Sequence, residues 1–245
     1  LAGSFEKETN MEMSIERPLV ELYMLSRDPA FVSLKPKSKQ PIGIAWQENP
    51  SSPELVHDEF KTNSHNVGLI NGVVSGIVDV DLDCPEAKQL SSVLLPKGLA
   101  AFEHLGNDRG HILYKVNDAG KTQQYQCPET GATLVELRST GSQTMIPPSI
   151  HPSGQKLKFT FLDDTATPLD FTDLQVQVRK IAALSLIARH WREGIRHSLA
   201  LGVAGLLLKT DHSEAEVKEI ISLICEITGD DELEDRLKAV ETTFD

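Results

Sequence analysis

A chain of 245 residues forms one large domain or two small ones, and its 40% hydrophobic and 24% charged content is ordinary for a globular protein. No apolar run approaches the length of a membrane span, and three separated cysteines (Cys84, Cys127, Cys225) give neither a disulfide framework nor a zinc pair, so a reducing cytoplasm without membrane attachment is expected. The formal net charge of -12 excludes a general nucleic-acid coat; nucleic acid would have to be met by local basic patches and bound metal.

Residues 1–13 read as a tag remnant and a disordered start. Ser14 to Ala30 has the stripe of a helix, with Leu19, Leu22, Tyr23 and Leu25 on one side. A basic, proline-punctuated loop follows, Lys35-Pro36-Lys37-Ser38-Lys39-Gln40-Pro41. Residues 51–62 predict a short helix. Asn66 to Gly72 predicts a strand ending in an Asn-Gly turn, paired as a hairpin with the strand after it.

That next strand is Ile77-Val78-Asp79-Val80-Asp81-Leu82-Asp83. Side chains in a strand alternate, so Val78, Val80 and Leu82 share one face and three aspartates the other. Asp is a poor strand former, and carboxylates side by side repel one another. A divalent cation with oxygen ligands offsets that cost better than solvent does. Pro85 then opens a helix running to about Leu94.

A glycine-rich loop at 106–110 enters a strand at His111. Residues 117–131 read as a polar hairpin loop. Leu134 to Arg138 is a strand with Glu136 and Arg138 on one face, and a turn and strand follow to Ile146. Pro147 to Gly154 closes the β-rich part with a rigid loop. Past a linker containing Pro168, residues 174–192, 196–209, 213–228 and 231–243 are helical in pattern. Ser213 and Glu216 form a capping box, and Gly194 and Gly229 break helices. Arg189, Arg192 and Arg196 make the densest basic cluster in the chain.

The order of these pieces is more specific than any one of them. Lys39-Gln40-Pro41, Asn66-Val67-Gly68, Ser75-Gly76 before Asp81-Leu82-Asp83, Arg109-Gly110-His111, Val135-Glu136-Leu137-Arg138 and Pro147 to Gly154 together resemble the bifunctional primase-polymerase domain of the archaeo-eukaryotic primase superfamily, over about residues 17–160. The helical part, from Gly194-Ile195-Arg196-His197 to Thr242-Thr243-Phe244, resembles the bundle that follows such domains in plasmid and phage replication proteins.

The resemblance implies an α+β fold: a catalytic α/β unit with an RRM-like sheet (residues 14–165), then a small all-α bundle (171–245). It implies DNA primase and polymerase activity with two Mg2+ or Mn2+ ions held by Asp81, Asp83 and Glu136. His111 would meet the phosphates of the incoming nucleotide. Lys39, Asn66, Arg109, Arg138, Ser149 and His151 would be further nucleotide contacts, with Arg189, Arg192 and Arg196 on DNA. The implied partners are single-stranded DNA template, NTP or dNTP, and a helicase domain C-terminal to this chain.

Three departures stand out. The third carboxylate is Glu136 where Asp is common; Asp79 is an extra acid; and the stretch between His111 and Glu136 lacks the zinc-stem cysteines of some relatives. The alternative is a catalytically idle single-stranded-DNA-binding replication-initiator module, although 5% aromatic content is poor for a base-stacking platform. A rolling-circle nuclease would want a His-x-His metal pair and a tyrosine nucleophile, and His111 has no such partner in the sequence.

Overall fold

The computed structural model describes residue 25 and residues 30–103 and 109–244. The N-terminal helix expected at 14–30 and most of the glycine-rich loop before Arg109 lie outside the described residues. The architecture is mixed α/β, with two sheets and, among the described residues, six helices.

The strands are β1 (Phe31–Leu34), β2 (Asn66–Ile70), β3 (Ile77–Leu82), β4 (Ala100–Glu103), β5 (Gly110–Asn117), β6 (Gln123–Gln126), β7 (Thr133–Arg138), β8 (Gln143–Ile146), β9 (Phe159–Leu162) and β10 (Leu169–Asp170). The helices are α1 (Pro53–Asn63), α2 (Pro85–Leu94), α3 (Phe171–His190), α4 (Arg196–Leu208), α5 (Glu214–Thr228) and α6 (Leu233–Phe244). A small sheet has the order β1-β2-β8. The large sheet runs β6-β7-β3-β5-β4-β9, with β10 added to β5. All pairings are antiparallel except the β10–β5 pair.

Two expectations are corrected here. β2 and β3 are not a hairpin: β2 pairs with β1 and β8, and β3 with β5 and β7. The turn between them carries the chain from one sheet to the other, held by the single bridge Gly72–Ile77. Gly72 is required there, because its φ is +85° and a Cβ would lie 2.3 Å from the Thr140 amide nitrogen. The polar stretch 117–131 is also more than a loop. It contains β6, which forms a hairpin with β7 and reverses through the Cys127–Gly131 turn.

β3 lies inside the large sheet and both its faces are covered. Val78, Val80 and Leu82 join Tyr114, Val135 and Leu137 in a core that continues through Leu90 of α2 into Leu174, Val178 and Ile181 of α3 and Val217, Ile221 and Val240 of the bundle. The helical bundle and the sheet therefore share one hydrophobic core across the linker expected to separate them. Ile77 on the opposite face joins Leu113 and Phe102 in a second core with Phe31, Leu69 and Ile146 of the small sheet. The odd-numbered face of β3 thus looks into the space between two sheets, where the aspartates are.

Helix boundaries follow local chemistry. α2 starts with proline at its first turn and ends at Leu94, as its sequence predicts. α3 begins three residues earlier than its pattern, because Asp170 caps the amides of Thr172 and Asp173. Ser213 and Glu216 form the reciprocal capping box at α5. Gly194 and Gly229 take positive φ at the breaks.

Candidate active site

The site is built on three adjacent strands. Asp81 in β3 stands opposite His111 in β5 on one side and opposite Glu136 in β7 on the other. One step along, Asp79 stands opposite Arg138. With period-two alternation these five side chains rise from one face of the sheet, and directly opposed pairs are close enough to interact.

Arg138 is the centre of the acidic group. Its Nη2 lies 2.5 Å from Asp81 Oδ2, and its Nε lies 2.9 Å from Glu136 Oε2. Burial would favour the neutral guanidine, but the charges of Asp81, Asp79 and Glu136 more than offset it and hold Arg138 charged. Asp83, at the end of the strand, is pushed up by burial and by the negative charge of Asp81, with Arg109 3.6 Å away acting in the opposite direction. The region is one of concentrated negative potential met by arginine.

His111 is buried and stacked on the Phe102 ring, with centroids 4.5 Å apart and planes 13° from parallel. Its Nδ1 lies 3.0 Å and 3.3 Å from the two oxygens of Asp79 and 3.6 Å from Asp81 Oδ1. Burial pushes the imidazole pKa down, but the Asp79 and Asp81 carboxylates overcome this and raise it. Asp79 behaves reciprocally: burial raises it, and the His111 charge and hydrogen bond bring it below the usual carboxylate range. The pair is an ion pair in a nearly dry place.

The other expected residues fall into two groups. Lys39 is exposed on the loop after β1, and its carbonyl accepts from Gln143 Nε2 at 2.9 Å. The imidazole pKa of His151 is lowered by partial burial and then by the charges of Lys39 and His111, so the three side chains share one neighbourhood in which the His151 ring favours its neutral form. Asn66 and Ser149, by contrast, are committed to backbone. Asn66 donates to the Ile150 carbonyl at 2.7 Å and accepts from the Ile150 amide at 2.8 Å. Ser149 Oγ accepts from the Val67 amide at 2.8 Å. Both clamp the Pro147–Gly154 loop, and so the His151 it carries, to the edge of β2.

The three arginines of the helical part are not presented together. Arg189 pairs with Glu86 of α2 at 3.2 Å. Arg196 pairs with the buried Asp230 at 3.3 Å. Arg192 is exposed in the turn between α3 and α4.

The three carboxylates expected to hold metal are Asp81, Asp83 and Glu136. Among the described residues no three His, Cys, Asp or Glu side chains are grouped as a metal cage. Asp81 and Glu136 are brought together, but a guanidinium bridges them; Asp83 is turned to Arg109. The donor set itself suits a hard cation, since it is all carboxylate oxygen, and the bridging guanidinium shows that a positive charge is accommodated between Asp81 and Glu136. Sequence reasoning missed Thr144, Phe102 and the burial of Asp79. Only Asp79 left a signal, as an acid too many on its strand.

No helix among the described residues is long and apolar enough to cross a membrane. Comparison with curated proteins gives no match. A family profile described as bifunctional DNA primase/polymerase, N-terminal, matches residues 21–175, which takes in the small sheet, the large sheet and the start of α3. Over that span, well over half of its length, the chain belongs to the Prim-Pol family of bifunctional DNA primase/polymerase domains.

Proposed function

We propose that this protein is a template-dependent nucleotidyltransferase that makes primers on single-stranded DNA and extends DNA, in the replication of a mobile element such as a plasmid or phage. The observation that carries the reading is the cross-strand row His111–Asp81–Glu136 with Arg138 beside it. Acidic oxygens and phosphate-binding cations, alternating on rigid strands, suit a reaction in which a triphosphate must be held and its charge stabilised.

Asp81, Asp83 and Glu136 would hold two Mg2+ or Mn2+ ions. Such ions lower the pKa of an attacking 3′-hydroxyl and fix the triphosphate. His111 and Arg138 would neutralise negative charge that develops on the phosphates. Lys39 and His151, on two loops facing the same neighbourhood, would extend that wall, Lys39 by its charge and His151 by an imidazole hydrogen bond. Arg109, exposed beside Asp83, would meet the nucleotide at the open end of the strand. The division of labour expected from sequence, catalysis in 14–165 and template contact in 171–245, is kept, with Arg192 as the bundle arginine best placed to reach DNA. A helicase domain C-terminal to this chain is the expected partner of the primer product.

The test is incorporation of labelled ribo- and deoxynucleotides on single-stranded template, with and without a primer, in magnesium or manganese. Incorporation that needs both template and metal supports the reading. Retained binding of single-stranded DNA with no incorporation under any of these conditions would instead identify an idle replication-initiator module.

A further inference from the structure

Asp79 is the acid that the catalytic reading does not use. It is fully buried, at 0% exposure, so it does not face an ion or a nucleotide in solvent. A buried carboxylate is expensive unless its oxygens are satisfied. Here they are satisfied by two groups from different sheets. Thr144 Oγ1 of β8 donates to Oδ2 at 2.7 Å, and His111 Nδ1 of β5 lies 3.0 Å from the same oxygen. Thr144 is itself held by Asn71 Nδ2 at 2.9 Å, from the turn that joins the sheets. The row Asn71–Thr144–Asp79–His111 therefore crosses from the small sheet to the large one and ends on the imidazole. Phe102 fixes the plane of that ring, and Asp79 fixes its rotation within the plane.

We propose that Asp79 is a positioning residue. It accepts the Nδ1–H of His111, and Thr144 buttresses it, so that Nε2 is the ring nitrogen committed to the nucleotide's triphosphate. The logic is that of a carboxylate behind a metal-binding histidine, where the partner on one nitrogen sets the orientation and use of the other. The inference rests on the reading of His111 as a phosphate contact. It differs from a purely structural role, because a link between two sheets has no need to end on the imidazole.

Three variants test it: Asp79→Ala, Asp79→Asn and Thr144→Val. Long-range proton–nitrogen spectra of histidine-labelled protein report the state of His111 Nδ1 without metal or nucleotide. Calorimetry with magnesium–dATP and magnesium–ATP reports nucleotide binding without turnover, and steady-state primer extension separates KM from kcat. Asp79→Ala is expected to change the Nδ1 signal, weaken nucleotide binding about tenfold and raise KM for nucleotide, while binding of single-stranded DNA stays as in wild type. Thr144→Val should move each quantity the same way by about threefold, and Asp79→Asn, which keeps an acceptor for Nδ1–H, should recover most of the loss.

If Asp79→Ala does not fold, Thr144→Val carries the test alone. Folded variants with an unchanged Nδ1 signal and unchanged nucleotide affinity overturn the proposal, as does equal loss of nucleotide and DNA binding. A wild-type protein that binds nucleotide but never incorporates it overturns the polymerase reading and leaves the Asp79 result to stand on binding and spectra. A wild type that binds no nucleotide overturns both.

Discussion

The guanidinium of Arg138 lies between the carboxylates of Asp81 and Glu136, which face each other across β3 and β7. The bridge cancels a repulsion that the strand pairing would otherwise impose. Removing Arg138 leaves two facing acids in a half-buried place. Arg138→Ala is therefore expected to lower stability by about 3 kcal/mol, the usual order for breaking a buried pair from one side. Magnesium or manganese should restore part of that loss, so melting temperature should rise more with metal in the variant than in wild type. Equal metal shifts in the two proteins would count against Asp81 and Glu136 as metal ligands.

Asp81→Ala should abolish incorporation and spare the fold. The variant leaves Arg138 still paired with Glu136, and it removes one acid from a crowded group. A loss of at least about 100-fold in rate is expected, corresponding to several kcal/mol of transition-state stabilisation. Primer extension and a melting curve on the same preparation check both halves. Near-full activity in a folded variant would remove Asp81 from the site.

Asp230 predicts how the helical part responds to acid. Its oxygens take the Trp191 indole N–H at 2.8 Å and Arg236 Nε at 3.0 Å, and Arg196 lies at 3.3 Å. Burial raises its pKa, but the hydrogen bonds from Arg236 and Trp191 outweigh that and hold it below the ordinary value. A depressed carboxylate pKa gives stability that is present above the unfolded-state value, about 3.9, and is lost as pH falls through the folded-state value. At neutral pH Asp230→Asn should cost about 3 kcal/mol or more, because it leaves buried Arg236 short of a counter-charge. The difference from wild type should narrow as pH falls below about 4. A difference constant from pH 7 to pH 3 would contradict the pKa assignment.

The continuous core predicts a single unfolding transition. Ile181 of α3 is fully buried in the cluster that also holds Val80 and Leu137 of the sheet. Ile181→Ala should cost about 2–5 kcal/mol and lower one calorimetric endotherm without splitting it. Cutting the chain near Pro168 should expose the back of the sheet and yield an aggregating fragment. A soluble, active piece ending there, or two separate endotherms, would show that the bundle folds apart from the sheet.

The template contact proposed for the bundle is tested most directly at Arg192. Arg189 and Arg196 already have carboxylate partners, whereas Arg192 is exposed. Arg192→Ala should flatten the salt dependence of DNA binding by about one unit of log–log slope. It should slow primer synthesis more than primer extension. An unchanged slope would remove the α3–α4 turn from the DNA path.

Much of this was legible in the sequence where the cause is local. The alternation in β3, the proline start of α2, the Ser213–Glu216 box and the glycine breaks depend on near neighbours, and all appear in the fold. Pairing partners depend on distant residues. An Asn-Gly turn between two apolar runs reads as a hairpin, yet β2 pairs with β1 and β8, where all five of its residues are buried. Burial also reassigns polar residues. Alternation put Asp79 on the acidic face but could not say that a second sheet roofs that end of it. Asn66 and Ser149, expected at the nucleotide, each make hydrogen bonds with backbone groups where the Pro147–Gly154 loop meets β2, contacts that no local pattern announces.

β3 carries two unrelated demands on alternate residues. Its even positions are core floor and its odd positions carry the acids and face a second sheet. Exchange of one residue for another can satisfy either demand alone. A change of length cannot: inserting or deleting one residue between Ile77 and Asp81 turns every later side chain to the opposite face, sending the carboxylates into the helical core. The strand should therefore accept only apolar exchanges of similar volume at the buried Val78 or Val80, and refuse any insertion.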